Sequence, residues 1–103
     1  MAITNITSMS QFENEIAENN KVFVSFFATW CGPCKMVEPF IEEIAKETKD
    51  VKFIEIDVDI NKDIAEKFAI MSIPTMIIFE NKEAVRSHTG FASKDMLNKF
   101  INQ

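Results

Sequence analysis

The chain has 103 residues, of which 47% are hydrophobic, and a formal net charge of −5 at pH 7. This length is typical of one domain with a hydrophobic core, and the apolar fraction excludes a disordered chain. Because an acidic surface repels phosphate groups, we expect neither nucleic acid nor an anionic membrane as a partner. We predict a single domain over residues 1–103.

The N-terminal segment carries no targeting signal that we recognise. Residues 1–11 lack the basic stretch and apolar run of a signal peptide, and no apolar run approaches the roughly 20 residues that span a bilayer. The expected compartment is therefore the cytoplasm. A pair of cysteines in that reducing environment is seldom a structural disulfide.

The first elements in chain order are a helix and a buried strand. Ser8 and Gln11 fit a capping box that begins a helix ending at about Glu18. Lys21–Ala28 is a nearly continuous apolar run of strand length, which is typical of a strand buried on both faces. Apolar spacing, turns and caps then predict a helix after Cys31 to about Thr48, a strand over Val51–Val58, a helix over Asn61–Phe68, strands over Thr75–Phe79 and Ala84–Thr89, and a final helix capped by Ser93.

The predicted order is β-α-β-α-β-α-β-β-α, in which the opening strand has no assigned bounds. Strands that alternate with helices and end in a hairpin indicate an α/β fold. We expect a sheet with a mostly parallel centre and one antiparallel edge.

Cys31 and Cys34 lie where the buried strand meets the next helix, in a Cys-x-x-Cys pair. Unpaired N–H groups at a helix N-terminus stabilise a thiolate, so Cys31 is the expected exposed nucleophile. Cys34, one turn further on, is close enough to attack a mixed disulfide on Cys31 and is the expected buried resolving thiol. Pro33 suits the first helical turn, and Gly32 allows a tight turn and leaves the Cys31 sulfur accessible.

Half of a zinc site is an alternative interpretation of the two cysteines. Structural zinc takes about four Cys or His ligands, whereas the sequence contains two Cys and one His, His88, far along the chain. A complete site would need carboxylates or a second chain. Two packed thiols without chemistry are a further alternative. We expect no metal.

Three motifs together resemble the thioredoxin family over essentially the whole chain. They are Trp-Cys-Gly-Pro-Cys-Lys at residues 30–35, Ile-Pro-Thr at residues 73–75, and Gly90 near the end. The resemblance implies a three-layer α/β/α sandwich, with a mixed five-stranded sheet and four helices. It also implies a protein-disulfide reductase, because the Gly-Pro pair is similar to that of the reductants of the family.

The resemblance assigns further residues to the active site. Pro74 corresponds to a cis-proline whose loop packs against the cysteines and pairs with the substrate backbone, and Pro39 to a helix kink. Trp30, Gly32, Pro33, Ser25 and Pro74 would support the cysteines. A shallow apolar rim would bind the client protein through Trp30, Met71, Ile73, Pro74, Gly90 and Phe91.

The resemblance also implies partners. A flavoprotein thioredoxin reductase that draws on NADPH would restore the dithiol of a monomeric protein, and disulfide-containing proteins would be the clients. The sequence has no Gly-rich nucleotide loop, so we expect no bound cofactor beyond the redox-active Cys31–Cys34 disulfide. An isomerase or oxidase is the rival within this class, and a binding subunit with incidental thiols is the rival outside it.

Two departures from the family concern proton transfer. The family usually has a buried Asp beneath the resolving cysteine and a Lys on the adjoining strand, whereas this chain has Ser25 and Glu55. Alternation along the strand places Glu55 on the face that points towards Ser25. We therefore hypothesise that Glu55 accepts the Cys34 proton, through Ser25 or a water. The alternative is that Glu55 reaches solvent and Ser25 only fills space.

Overall fold

A computed structural model describes residues 2–103, in which a five-stranded sheet carries two helices on each face. Residue 1 of the predicted domain lies outside this range. The five strands are β1 (Ile3–Ile6), β2 (Lys21–Phe27), β3 (Lys52–Asp57), β4 (Thr75–Glu80) and β5 (Glu83–Thr89). The four helices are α1 (Met9–Glu18), α2 (Gly32–Glu47), α3 (Lys62–Lys67) and α4 (Lys94–Asn102).

The strand order is β1-β3-β2-β4-β5, with β2 at the centre. The β1–β3 and β2–β3 pairs are parallel, while the β2–β4 and β4–β5 pairs are antiparallel. The predicted antiparallel edge is confirmed, because the edge strand β5 pairs antiparallel with β4. The expected mostly parallel centre is only partly correct, because β2 pairs parallel with β3 but antiparallel with the reversed strand β4. The chain reverses before β4, after a helix of only six residues and the irregular segment 68–74.

Two apolar layers follow from the alternation of side chains along β2 and β3. Val24 and Ile56 face α1 and α3, whereas Phe23 and Phe53 face α2 and α4. Phe23 and Phe53 are fully or almost fully buried, with their ring centroids 5.2 Å apart. Ser25 and Glu55 lie on that second face, two residues beyond the phenylalanines. The sheet thus directs both polar side chains towards α2.

Local signals predicted most element ends to within one or two residues. The Ser8 hydroxyl accepts a hydrogen bond from Gln11 N at 3.1 Å, and Ser93 Oγ accepts one from Met96 N at 3.2 Å. Gln11 reaches back as expected, although its Oε1 accepts from Thr7 N at 2.8 Å rather than from Ser8. Of the helices in residues 2–103, none combines the length and apolarity needed to cross a membrane.

Candidate active site

Cys31 is the N-cap residue of α2, in the short connection that follows β2. Its backbone is extended, with φ −86° and ψ 113°, and Cys34 N donates a hydrogen bond to Cys31 Sγ at 3.2 Å. The N-terminal N–H groups of a helix have no backbone partners, so the sulfur takes the place of a capping oxygen. The predicted position of Cys31 at a helix N-terminus is confirmed.

Cys31 and Cys34 form a disulfide, with Cα atoms 5.3 Å apart. Their residues are 4% and 6% exposed, so the expected contrast between an exposed Cys31 and a buried Cys34 is wrong for the oxidised protein. The physical reason is that the bond holds both sulfurs in one small cluster at the end of β2. The cluster contains Ala28 and is covered by Phe27, Val58 and Ile73.

Gly32 and Pro33 occupy the first turn of α2, between the cysteines. Pro33 lies where a missing N–H has no cost, as predicted. Gly32 does not have a positive φ, and a Cβ at this position would meet no atom within 4 Å. The turn that Gly32 was expected to allow therefore does not require a glycine at this position. Its lack of a side chain leaves the surface beside Cys31 bare.

The segment before β4 packs against the disulfide as expected. The Ile73–Pro74 peptide is cis, and Ile73 contacts the cysteine cluster. Pro74 is buried, and its carbonyl accepts a hydrogen bond from Gly90 N at 2.8 Å. Gly90 has φ +97°, a conformation that side chains disfavour. Gly90 therefore joins the end of β5 to the Pro74 loop.

The predicted rim residues differ in exposure. Met71 is 92%, Trp30 69% and Phe91 46% exposed, whereas Ile73 and Gly90 are partly buried. Phe91 also packs edge-on against Phe40 of α2, with centroids 6.4 Å apart. Ile73 contacts the cysteine cluster directly, and Trp30 and Met71 are the most exposed apolar residues of the predicted rim.

Asp59 is a site residue that the sequence analysis missed. Trp30 Nε1 donates a hydrogen bond to Asp59 Oδ2 at 2.8 Å, which anchors an otherwise exposed indole. The signal was the position of Asp59 just after β3. Because neighbouring parallel strands end at the same edge of the sheet, this loop lies beside Trp30, which follows β2.

A small cavity lies beneath Cys34 and brings the predicted polar residues together. Ser25 and Glu55 are direct partners across the β2–β3 ladder and both line the cavity. Its volume is about 20 Å³, which is enough for one water molecule. Cys34 and Glu38 line it from α2, and the sequence analysis did not single out Glu38. The predicted orientation of Glu55 towards Ser25 is confirmed.

The surroundings of Glu55 favour its protonated form. Partial burial raises the pKa of the Glu55 carboxyl, and the nearby Glu38 and Glu42 carboxylates raise this pKa further. Within residues 2–103, Glu55 forms no ion pair with a lysine or an arginine. Its environment therefore differs from that of the ion-paired glutamates on the surface.

The positions of the residues that could ligate a metal test the zinc alternative. In the part of the chain that the structure describes, no group of three or more His, Cys, Asp and Glu side chains is placed to hold a metal ion. His88 Nε2 is instead 3.2 Å from the Phe91 carbonyl oxygen. The two cysteines are bonded to each other, which is the arrangement required for disulfide exchange.

Comparisons with known proteins agree with this geometry. A family model described as thioredoxin matches residues 3–103. The thioredoxin of Bacillus subtilis is 41% identical over 104 residues, covering 100% of this chain and 98% of that protein. A bifunctional thioredoxin reductase/thioredoxin of Mycobacterium leprae is 43% identical over 93 residues, covering 89% of this chain and 20% of that protein. The structure of Plasmodium falciparum thioredoxin matches with a TM-score of 0.91 at 38% identity, over 96% of each chain, which confirms the predicted three-layer fold.

Proposed function

The chain belongs to the thioredoxin family, and from that premise we propose that Cys31 is the nucleophile and Cys34 the resolving thiol. Thioredoxins are thiol–disulfide oxidoreductases, and this chain is a protein-disulfide reductase with a redox-active Cys31–Cys34 pair. The observation that carries the division of roles is the position of Cys31 at the N-cap of α2. Because the two cysteines are similarly buried in the disulfide form, helix position rather than exposure supports the assignment.

The reaction transfers two electrons from the dithiol to a client disulfide. The Cys31 thiolate attacks one client sulfur, which breaks the client S–S bond, forms a mixed disulfide and releases the other client sulfur as a thiolate. Cys34 loses its proton and attacks the Cys31 sulfur. The second client thiolate then leaves, and the Cys31–Cys34 disulfide forms. The client is reduced and the pair is oxidised.

We propose that Glu55 accepts the proton that the Cys34 thiol loses. Glu55 and Ser25 lie across one ladder on the face towards α2, and both border the cavity that Cys34 lines. Because the cavity has room for one water, Glu55 acts through Ser25 or through that water. A base with a raised pKa suits proton transfer close to neutral pH. Glu55 thus takes the role that the family usually gives to a buried Asp.

The exchange of Glu55 for glutamine tests this assignment. Glu55→Gln should slow the attack of Cys34 on the mixed disulfide by about 100-fold, the lower end of what general base catalysis contributes. The rate is measured by stopped flow as release of the second client thiol, between pH 5 and 9. Glu18→Gln, at an exposed position on α1, is the matched control. An unchanged rate and pH profile for Glu55→Gln would rule out the assignment.

We assign client docking to the rim formed by Trp30, Met71, Ile73, Pro74, Gly90 and Phe91. Trp30 and Met71 offer exposed apolar surface, and Asp59 orients the Trp30 ring. Pro74 has no N–H, and its carbonyl already accepts from Gly90. Ile73 makes no backbone hydrogen bond within residues 2–103, so its N–H and C=O are the groups that pair with an extended client segment.

The family acts with thioredoxin reductase and with disulfide-containing clients, and NADPH enters through the reductase. The Mycobacterium leprae relative, named as a fusion of both activities, supports such a reductase as the partner of this chain. We further propose a cytoplasmic monomer, with residues 1–103 as one domain. The net charge of −5 supports protein clients rather than nucleic acid or membranes.

Exchange of each cysteine for serine tests the division of roles. Cys34→Ser should accumulate a stable mixed disulfide with insulin that contains its disulfides, because the nucleophile remains and the resolving thiol is absent. Cys31→Ser should trap none and lose all turnover. Mass spectrometry under non-reducing conditions detects the adduct, and each variant is the control for the other. Adducts that formed through Cys34 instead would reverse the assignment.

A further inference from the structure

His88 is the single histidine of the chain and lies near the end of β5, two residues before Gly90. Its Nε2 is 3.2 Å from the Phe91 carbonyl oxygen. Because a carbonyl oxygen only accepts hydrogen bonds, we assign the proton to Nε2, which donates it. One neutral tautomer of imidazole and the cation both carry a proton on Nε2, so this hydrogen bond does not require a positive charge.

The His88 ring is held by the sheet and by α4. Its centroid lies 6.3 Å from that of Phe100, with the two ring planes at 63°. Arg86, two residues earlier on the same face of β5, donates to the Phe100 carbonyl as well. On the neighbouring strand, His88 is opposite the fully buried Met76. These contacts fix the direction in which Nε2 points.

Residues 90–92 join β5 to α4 and belong to neither element. Within residues 2–103, the backbone of this segment makes two hydrogen bonds, one from Gly90 N to the Pro74 carbonyl and one to the Phe91 carbonyl from His88. Ala92 is buried in the layer under α2 and α4. The bond from His88 therefore sets the orientation of the peptide unit between Phe91 and Ala92.

Phe91 is the rim residue that this peptide unit carries. Its ring packs edge-on against Phe40 of α2 and still remains partly exposed. An exposed aromatic side chain that is already held in one orientation loses little conformational freedom when a partner binds it. A looser segment 90–92 would lose more, and the client would bind less tightly.

We propose that His88 is a positioning residue for client binding, whose hydrogen bond to the Phe91 carbonyl holds the Phe91 side chain in the orientation that protein clients contact. This inference rests on the proposed docking rim. His88 acts through Phe91 and takes no part in the transfer of electrons or protons. Its loss should therefore weaken the binding of a protein client without slowing the exchange of disulfides that follows.

Two variants separate the N–H donor of His88 from its ring. His88→Phe keeps an aromatic ring that can pack against Phe100 but has no N–H group. His88→Gln has no ring, but its side-chain amide is a donor of similar reach. Ser87→Ala is the matched control, because Ser87 is the exposed neighbour on the opposite face of β5.

The experiment mixes the reduced protein with excess insulin in a stopped-flow instrument and follows the fluorescence of Trp30, the single tryptophan of the chain. An insulin series gives the half-saturating concentration and the maximal rate. We expect His88→Phe to raise the half-saturating concentration about three- to fivefold, the scale of one hydrogen bond, with the maximal rate unchanged. His88→Gln and Ser87→Ala should match the parent. Bis(2-hydroxyethyl) disulfide, which has no polypeptide segment to dock, should react equally fast with all variants.

Nitrogen-15 NMR of the neutral His88 ring tests the hydrogen bond itself, and a proton on Nδ1 instead of Nε2 would overturn the proposal. An unchanged half-saturating concentration for His88→Phe, or an equal rise for His88→Gln, would do the same. Phe91→Ala distinguishes this failure from that of the rim. If Phe91→Ala weakens insulin binding but His88→Phe does not, only the positioning role fails. If Phe91→Ala has no effect, the docking role of Phe91 fails as well.

Discussion

At the scale of single residues, the chemistry of Cys31 follows from its place in the backbone. The helix α2 begins at this residue, shortly after a buried strand ends, so the Cys31 sulfur accepts a hydrogen bond from the backbone N–H of Cys34. Such a hydrogen bond and the helix dipole both favour a negative sulfur. Neither effect requires a charged side chain nearby. The reactive pair is therefore set by residues 31–34 and the strand before them.

Glu55 links the same site to stability. Burial and the Glu38 and Glu42 carboxylates raise the pKa of Glu55 in the folded protein, so the native state binds this proton more tightly than the unfolded chain does. Stability therefore falls as pH rises from the ordinary glutamate pKa through the folded one. At pH values below both pKa values, Glu55 is protonated in both states and makes no pH-dependent contribution to the free energy of unfolding.

Glu55→Gln removes this pH-dependent loss. We expect the variant to be more stable than the parent at pH 7 and equal to it below about pH 4, where glutamate is protonated in both states. Urea unfolding at pH 3.5, 5, 6 and 7 measures the difference in the free energy of unfolding. Glu18→Gln is again the control and should show no comparable trend. A variant less stable than the parent at pH 7 would contradict the expectation.

At the scale of elements, β5 holds the end of α4 through Arg86. Arg86 Nε donates to the Phe100 carbonyl at 2.7 Å and Nη2 donates to the Ile101 carbonyl at 3.2 Å. The guanidinium also lies 5.9 Å from the Phe100 ring centroid and 3.7 Å from Glu80 Oε2. The last carbonyls of a helix have no partners of their own, so this edge-strand arginine satisfies two of them.

Removing the guanidinium should loosen α4 from the sheet. Arg86→Ala is expected to lower the free energy of unfolding by about 2 kcal/mol, since hydrogen bonds to charged groups contribute more than neutral ones. Arg86→Lys should recover only part, because an ammonium cannot reproduce the two-pronged contact. Thermal and urea unfolding measure both variants.

Lys99→Ala serves as the comparison for Arg86→Ala. Lys99 pairs with Asp95 at 3.5 Å on an exposed face of α4. Its loss should cost less than about 0.5 kcal/mol, as for other exposed helix pairs. If Arg86→Ala and Lys99→Ala lowered the free energy of unfolding by similar amounts, the Arg86 hydrogen bonds from β5 would not be needed to stabilise the end of α4.

At the scale of the whole molecule, the sheet separates two apolar layers. Ile64 of α3 belongs to one layer and Leu97 of α4 to the other, and both are almost completely buried. Each layer depends on a short helix that is held mainly by packing rather than by its own propensity. We therefore expect both layers to stabilise the sheet.

The double variant Ile64→Ala/Leu97→Ala tests this division. Each single change should lower the free energy of unfolding by about 2–5 kcal/mol. Because the two side chains lie on opposite faces of the sheet, the double change should equal the sum within about 0.5 kcal/mol. A domain of this size has about 5–15 kcal/mol in total, so the double variant should be partly unfolded at 37 °C. Strong non-additivity, measured by urea unfolding, would contradict two independent layers.

The sequence by itself determined the helices, most of the strands and the reactive pair. Caps at Ser8 and Ser93, the alternation in β3 and the motif around Cys31 depend on residues that are close together in the chain. Preferences that depend only on residues close together in the chain can be recognised without knowing the fold. The opening strand Ile3–Ile6 was the exception, because four residues carry too little pattern to give bounds.

Only the tertiary structure decided which distant groups meet. Strand order placed Ser25 opposite Glu55, the packing of α2 on the sheet put Glu38 and Cys34 around one cavity, and the β3–α3 loop brought Asp59 to Trp30. The reversal of β4 and the equal burial of the two cysteines also came from the fold. These features arise from contacts between segments far apart in the sequence, whose pairing no local pattern specifies. The identity of the thiol pair is therefore a local property, whereas the surroundings of Cys34 are a property of the assembled sheet and helix.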